Sequence, residues 1–130
     1  MAVVVIDASV IIAFLNPHDA HHKGAIAALA RKRTADLVLP ATVYAEILVG
    51  PDRRGKAAVS KVEAFVSDFG MQVESIDTDI ARRAAILRSR HKGLKLPDAL
   101  VLATGDILGA SAVLTADTSW SKISKRAEAI

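Results

Sequence analysis

Val3-Val4-Val5-Ile6-Asp7-Ala8-Ser9 is the stretch that decides the fold. Its four successive β-branched residues predict a strand buried on both faces, as in the centre of a parallel sheet. The strand stops at a carboxylate, and the apolar residues from Ser9 to Leu15 continue at helical spacing. Open α/β sheets place their ligand sites where a strand ends and turns into a helix. The alternative is that Asp7 only caps the helix, because Asp and Ser are both favoured there.

Composition limits the class of protein. The chain has 130 residues, the size of a single domain with a sizeable core. It is 52% hydrophobic and 4% aromatic, so the core is expected to be aliphatic. It has no cysteine, which excludes disulfides and thiolate metal sites and is typical of a reducing cytoplasm. The apolar start lacks the basic segment of a signal peptide, and no apolar run is long enough to span a membrane. We therefore expect one soluble, cytoplasmic domain over residues 1–130.

Strands and helices alternate along the rest of the chain. Apolar runs predict further strands at 37–39, 71–76 and 112–115. Amphipathic spacing with capping or helix-ending residues predicts the helices between them. The first of these helices follows Pro17. The second carries Val43 to Leu48 and stops at Gly50-Pro51, before an exposed loop at 52–56. The others run from Val59 to Phe69, from Asp77 to about Lys92 and from Leu96 to Gly109. The pattern predicts a three-layer α/β/α domain around a mostly parallel sheet, although the basic tail after Trp120 shows no clear final strand.

Four acidic residues occupy notable places on this plan. Asp7 ends the first strand, and Asp117 lies just beyond the last clear one. Glu46 interrupts an apolar helix, and Asp98 lies in the first turn of the helix that begins at Leu96-Pro97. Carboxylates are rarely buried without a partner, and converging like charges cannot all stay ionised without a cation. Mg²⁺ or Mn²⁺, which prefers hard oxygen ligands, is the economical cation.

Each of these acids also has an ordinary structural interpretation. Asp98 suits the first turn of a helix because of the helix dipole. Asp117, before Thr118 and Ser119, suits an N-cap position. Glu46 is explained if it faces solvent at the edge of its helix. The coincidence of all four at such places favours a shared site.

Several motifs together carry a resemblance to a known family. They are Val5-Ile6-Asp7-Ala8-Ser9, the Glu46 helix after Leu39-Pro40-Ala41, Lys95-Leu96-Pro97-Asp98-Ala99, and Leu114-Thr115-x-Asp117-x-x-Trp120. In this order, within a single domain, they resemble the motifs of PIN-domain ribonucleases. Length, order and spacing are most similar to the VapC toxins of bacterial toxin–antitoxin pairs. The resemblance covers essentially the whole chain.

The resemblance implies a PIN-like fold and a metal-dependent endoribonuclease that hydrolyses phosphodiester bonds of RNA. Asp7, Glu46, Asp98 and Asp117 are then the catalytic, metal-holding carboxylates, with Mg²⁺ or Mn²⁺ as cofactor. The hydroxyls of Ser9 and Thr115 are expected to orient a carboxylate or a water at the metal, or else to serve as ordinary capping or strand-face hydroxyls. The resemblance further implies a homodimer and a small antitoxin that covers or enters the acidic site.

Basic residues are candidates for contact with RNA. The net charge is +3, and setting the four acids aside leaves ten acidic against seventeen basic residues. A nuclease with an anionic centre needs cations around it to bind phosphates. The candidates are Arg82, Arg83, Arg53 and Arg54, with a further group at Lys122, Lys125 and Arg126. A solvated charged face is the alternative for each of them.

Two other functions compete with this interpretation. A haloacid-dehalogenase-like phosphotransferase also has an Asp at the end of its first strand, but it usually shows Asp-x-Asp where this chain has Asp7-Ala8-Ser9. A non-catalytic module that binds nucleic acid or protein remains the second alternative. His18 and His21 are expected to be structural or to face solvent. Asp106 could border the site, but a solvent-facing position is the favoured expectation.

Overall fold

A five-stranded, wholly parallel sheet forms the centre of the molecule. The computed structural model describes residues 2–130. The strands are β1 (Val3–Ile6), β2 (Asp36–Pro40), β3 (Gln72–Glu74), β4 (Ala112–Thr115) and β5 (Ala127–Ala129). Their order across the sheet is β3-β2-β1-β4-β5, and every neighbouring pair is parallel. The predicted mostly parallel sheet is therefore confirmed.

Strand β1 lies at the middle of this sheet because its side chains suit burial on both faces. Val4, Val5 and Ile6 are fully buried. Val5 lies opposite Val38 of β2 on one side and opposite Val113 of β4 on the other. β-Branched residues pack well on such pleated surfaces. The run of β-branched residues is thus the core of the sheet, as predicted.

Six α-helices cover the two faces of the sheet. They are α1 (Ala8–Leu15), α2 (His22–Arg31), α3 (Ala41–Arg54), α4 (Lys56–Asp68), α5 (Thr78–Arg90) and α6 (Leu96–Leu108). Helix α6 packs on β1, β2 and β4 and carries α5 against it, whereas α3 packs on β2 and β3 with α4 behind it. Right-handed crossovers place the β1-to-β3 helices on one face and the β3-to-β4 helices on the other. The domain therefore has three layers, α/β/α.

The structure corrects the prediction between residues 50 and 56. Helix α3 does not stop at Gly50-Pro51 but continues to Arg54, with Pro51 buried inside it. An interior proline removes one backbone hydrogen bond, and the burial of Pro51 offsets that loss. The chain breaks instead at Gly55, whose φ of 119° suits glycine, and α4 begins at once. Residues 52–56 are therefore mostly helical rather than a loop.

The tail holds a strand that the sequence does not reveal. After a 3₁₀ helix at Thr118–Lys122, β5 pairs with β4 over three residues. Its residues are only partly buried or exposed, so no apolar pattern marks it. Within residues 2–130, no helix is long and apolar enough to cross a membrane.

Candidate active site

The carboxyl-terminal ends of β1 and β4 form a crevice at the centre of the sheet. From β1 the chain first moves out to β2 and β3, and it later returns to place β4 on the other side of β1. Ligands of open α/β sheets bind where the strand order reverses in this way. Asp7 follows β1, and its backbone N–H donates to the carbonyl of Leu114 in β4 at 2.9 Å. Asp117 follows β4 by two residues. We call this side of the sheet the acid edge.

Two hydroxyl groups hold the carboxylate of Asp7 through one of its oxygens. Ser9 Oγ donates to Asp7 Oδ2 at 2.6 Å, and Thr115 Oγ1 donates to the same oxygen at 3.0 Å. Each hydroxyl is fixed in turn by a backbone N–H, that of Ala116 for Ser9 and that of Asp117 for Thr115. Asp7 stands at the N-cap position of α1, but its side chain makes no capping hydrogen bond. The capping interpretation of Asp7 therefore fails.

Asp117, by contrast, does cap a helix. Its Oδ1 accepts hydrogen bonds from both the backbone N–H and the hydroxyl of Ser119, at 2.9 and 2.6 Å. These bonds hold the pKa of Asp117 below its usual range. Trp120 is buried in the core and anchors the 3₁₀ helix that follows. Asp117 thus has the predicted cap, and its second oxygen is not engaged by Ser119.

Glu46 and Asp98 reach the acid edge from α3 and α6. The pKa of Glu46 is raised by partial desolvation and then by the charges of Asp7 and Asp98. The pKa of Asp98 is raised by burial and then by Asp7 and Asp117, against a lowering by Lys95. The carboxylates are therefore near enough to repel one another. Lys95, which directly precedes the Leu-Pro-Asp motif, is therefore a neighbour of this site.

Glu46 is exposed, which corrects the expectation that it interrupts a buried stretch. In α3, Val43 and Ile47 face the core, while Glu46 and Val49 lie on the open side. With Ile12 and Leu15 of α1 and the buried Ile47, Glu46 lines a groove of about 810 Å³ between α1, α3 and α4, to which Arg54 and Lys61 also contribute. The helix looks apolar on all sides in sequence because Val49, on the open side, is apolar although it is 50% exposed.

The donor set suits a hydrated hard cation better than a closed cage. In the part of the chain that the structure describes, no three His, Cys, Asp or Glu side chains converge closely enough to enclose a metal ion. None of the four ion pairs found within residues 2–130 neutralises Asp7, Glu46, Asp98 or Asp117. Mg²⁺ usually keeps several waters and is bound through one or two carboxylates. An open group of mutually repelling carboxylates fits such an ion.

The other predicted residues lie in several places. Arg53 and Arg82 are exposed, and Arg54 borders the groove beside Glu46. Arg83 lies away from the acid edge, in an ion pair with Asp106 at 2.8 Å. Asp106 is therefore engaged with arginine rather than facing solvent. His18 and His21 are exposed, as predicted.

Comparisons with known proteins agree with this geometry. The family model of the PIN domain matches residues 4–126. A toxin–antitoxin complex from Klebsiella pneumoniae is 25% identical, with a TM-score of 0.71, over 88% of this chain and 87% of that one. VapC20 of Mycobacterium tuberculosis, a toxin that cleaves the sarcin–ricin loop, is 23% identical, with a TM-score of 0.74, over 92% and 93%. VapBC2 from Rickettsia felis, bound to a DNA fragment from its promoter, is 16% identical, with a TM-score of 0.77, over 98% of both chains. A search of curated protein sequences gives no match.

Proposed function

Because the chain belongs to the PIN-domain family, we propose that it is a metal-dependent endoribonuclease, the toxin of a VapBC-like toxin–antitoxin pair. The observation that supports this most is the meeting of Asp7, Glu46, Asp98 and Asp117 at the reversal point of the sheet, with raised pKa values at Glu46 and Asp98. Uncompensated carboxylates destabilise a fold unless a ligand neutralises them. A phosphotransferase of the haloacid-dehalogenase type has no support from the family match.

The four carboxylates are proposed to hold Mg²⁺ or Mn²⁺, directly or through water. Such a cation supplies Lewis-acid chemistry for phosphodiester hydrolysis and offsets charge that develops at the scissile phosphate. Asp7 is the central ligand, because Glu46 and Asp98 both interact with its charge. Asp117 is oriented by Ser119, which donates to its Oδ1, and by Trp120. The raised pKa values of Glu46 and Asp98 mean that these two carboxyls would give up protons on binding the cation.

Ser9 and Thr115 are positioning residues in this proposal. Both donate to Oδ2 of Asp7, which leaves Oδ1 to face a cation. A carboxylate held by two hydroxyls cannot rotate freely, so its free oxygen keeps one direction. Ligand carboxylates at metal sites are commonly held by hydrogen bonds of this kind.

RNA is the proposed substrate, with exposed cations as its phosphate contacts. Arg53, Arg54 and Arg82 are available for this role on the outer surface. Lys95, next to Asp98, is a further candidate. Positive residues around an anionic centre raise the local concentration of a polyanion and align it on the site.

An antitoxin is the proposed protein partner, and the apolar groove beside Glu46 is its proposed seat. Ile12 and Leu15 are 46% and 42% exposed there. An exposed apolar groove rimmed by charge is typical of a protein interaction site. A peptide in this groove would border Glu46 and block the site. We also propose a homodimer in the cytoplasm.

The deciding experiment is cleavage of total cellular RNA by the purified protein with Mg²⁺, with Mn²⁺ and with EDTA. The protein is compared with Asp7→Asn and with Asp36→Asn, which removes an exposed carboxylate at the opposite edge of the sheet. We expect a few discrete products that require both the metal and Asp7, and full activity in Asp36→Asn. Equal cleavage by Asp7→Asn would reject the site, and no cleavage with any metal would reject the nuclease.

A further inference from the structure

A second charged site lies at the opposite edge of the sheet. A cleft of about 520 Å³ opens beside the residues that lead into β4 and β5, and it is lined by Arg83, Asp106, Lys125 and Arg126 among others. We call it the amino-edge cleft. β4 has four residues, so at about 3.3 Å per residue the two edges are roughly 13 Å apart along the strands. Three cations face one carboxylate in this cleft, which leaves it positive.

The two guanidinium groups of the cleft are held in a way that leaves donors unused. Arg83 Nε donates to Asp106 Oδ2 at 2.8 Å, and Arg126 Nε donates to Asp106 Oδ1 at 3.3 Å. One terminal nitrogen of Arg126 also donates to the carbonyl of Ala110 at 2.5 Å. Asp106 thus uses only the Nε side of each arginine. The terminal amino groups of Arg83 remain for an anion, and a guanidinium fork matches phosphate geometry.

The packing of α6 on β4 holds this arrangement in place. A Cβ on Gly105 would come within 2.5 Å of a methyl group of Val113 and 3.9 Å of Cδ of Arg126. Only glycine permits so close an approach. The side chain of Arg126 therefore lies along α6, next to Asp106. The site is held by the fold and does not consist only of mobile surface side chains.

The segment between the two edges is itself basic. Residues 118–126 lead from Asp117 at the acid edge to Arg126 at the amino-edge cleft. They contain Lys122, Lys125 and Arg126 and no acidic residue. Lys122 and Lys125 are exposed, and neither takes part in an ion pair found within residues 2–130. Along the chain, these three cations form a line from the proposed cleavage site, past Lys122, to Lys125 and Arg126 at the cleft.

We propose that this line is the path of the RNA strand, and that the amino-edge cleft binds a backbone phosphate distant from the cleaved bond. The inference rests on the proposed function, because it supplies the substrate-binding surface of the same nuclease. Lys and Arg contacts to phosphates position a strand and carry no sequence information. The path also predicts a minimum length of RNA for full affinity.

The test is RNA binding in EDTA, measured by fluorescence anisotropy over a series of salt concentrations. The probes are a single-stranded RNA of roughly ten nucleotides, within the usual site size of single-strand-binding folds, and a dinucleotide, whose single phosphate cannot contact both edges of the sheet. Lys122→Gln and Lys125→Gln remove exposed charges on the path, and Arg83→Lys keeps the charge but loses the fork. Lys23→Gln, an exposed residue of α2, is the matched control.

Each lysine variant is expected to reduce the salt slope for the longer RNA by about 0.7, the value for one lost phosphate contact on a single strand. Arg83→Lys should weaken the binding of the longer RNA several-fold with a smaller change in slope. The dinucleotide should bind far more weakly than the longer RNA and with a smaller salt slope. An unchanged slope for the longer RNA in both lysine variants would overturn the path, even if the protein cleaves RNA.

Inorganic phosphate separates this inference from the proposed function. Its titration, followed by NMR, should shift the amide signals of Ser111 and Lys125, which line the cleft, and Arg83→Lys should weaken that shift. If the parent protein binds no RNA, the path is overturned together with the nuclease, whatever phosphate does. If it binds and cleaves RNA but phosphate leaves these amides unmoved, only the cleft is overturned.

Discussion

The buried hydroxyl of Thr115 provides the sharpest test of how Asp7 is held. Thr115 is fully buried, donates to Asp7 Oδ2 and accepts from the N–H of Asp117. Thr115→Val keeps the shape of the side chain and removes both bonds. A hydrogen bond to a charged group contributes about 1.5–3 kcal/mol. Water can reach the N–H of the exposed Asp117, so losing its bond to Thr115 destabilises the fold less than losing the bond to Asp7. We therefore expect Thr115→Val to lower the free energy of unfolding by about 2 kcal/mol, or the Tm by roughly 8 °C for a domain of this size.

The assay is urea denaturation in EDTA, with the slope of the transition unchanged and its midpoint lowered. Ser111→Ala is the control, because the exposed hydroxyl of Ser111 makes a single bond to a neutral carbonyl, that of Val3, at 3.2 Å. Its cost should stay below about 1 kcal/mol. A double-mutant cycle with Asp7→Asn isolates the bond to the carboxylate. We expect a coupling energy of at least about 1 kcal/mol between Thr115→Val and Asp7→Asn.

Two results would refute this reasoning. If Thr115→Val costs no more than Ser111→Ala, the hydroxyl does not hold Asp7. If the cycle is additive, the cost of Thr115→Val arises from packing and not from the bond to Asp7. Either result would also remove the argument that Oδ1 of Asp7 is kept free for a cation.

Three further predictions follow from the charges and the packing. Without metal, the free energy of unfolding should fall as pH rises through the raised pKa values of Glu46 and Asp98, since the fold binds more protons than the unfolded chain there. Urea denaturation at several pH values tests this, and Mg²⁺ should flatten the dependence of the unfolding free energy on pH. Asp117 acts oppositely, because its lowered pKa gives stability that is lost in acid. Asp98→Asn should raise the Tm in EDTA yet abolish RNA cleavage. Gly105→Ala should cost about 1–3 kcal/mol in a urea titration, whereas Gly93→Ala, whose Cβ meets nothing within 4 Å, should not.

The sequence predicts the centre of this fold well because one physical signal dominates there. The run Val3–Ile6 fits only a strand buried on both faces, and the alternation that follows requires parallel pairing. Prediction fails at β5, whose three residues are held by pairing with β4 and not by burial. It fails again at Pro51, where tertiary burial overrides the usual effect of proline on a helix. Both errors arise where long-range packing decides and local pattern does not.

The candidate site follows from the sequence to a similar extent. Strand ends and helix starts predicted that Asp7, Asp98 and Asp117 would meet, because parallel strands bring their carboxyl ends to one edge. The sequence left the exposure of Glu46 open, since its apolar neighbours in α3 include both the buried Ile47 and the exposed Val49. The pairing of Arg83 in α5 with Asp106 in α6 joins residues that are 23 positions apart in sequence. Such a contact depends on how α5 and α6 pack, which local patterns do not determine.

The acid edge combines two carboxylates that the fold holds with two that it leaves crowded. Asp7 and Asp117 are fixed by hydroxyl and backbone donors, whereas burial and repulsion raise the pKa values of Glu46 and Asp98. A divalent cation would lower the pKa values of the crowded pair and so release protons as it binds. The repulsion that weakens the metal-free fold is therefore the same term that strengthens cation binding. Substitutions that relieve it should stabilise the protein and weaken the site together.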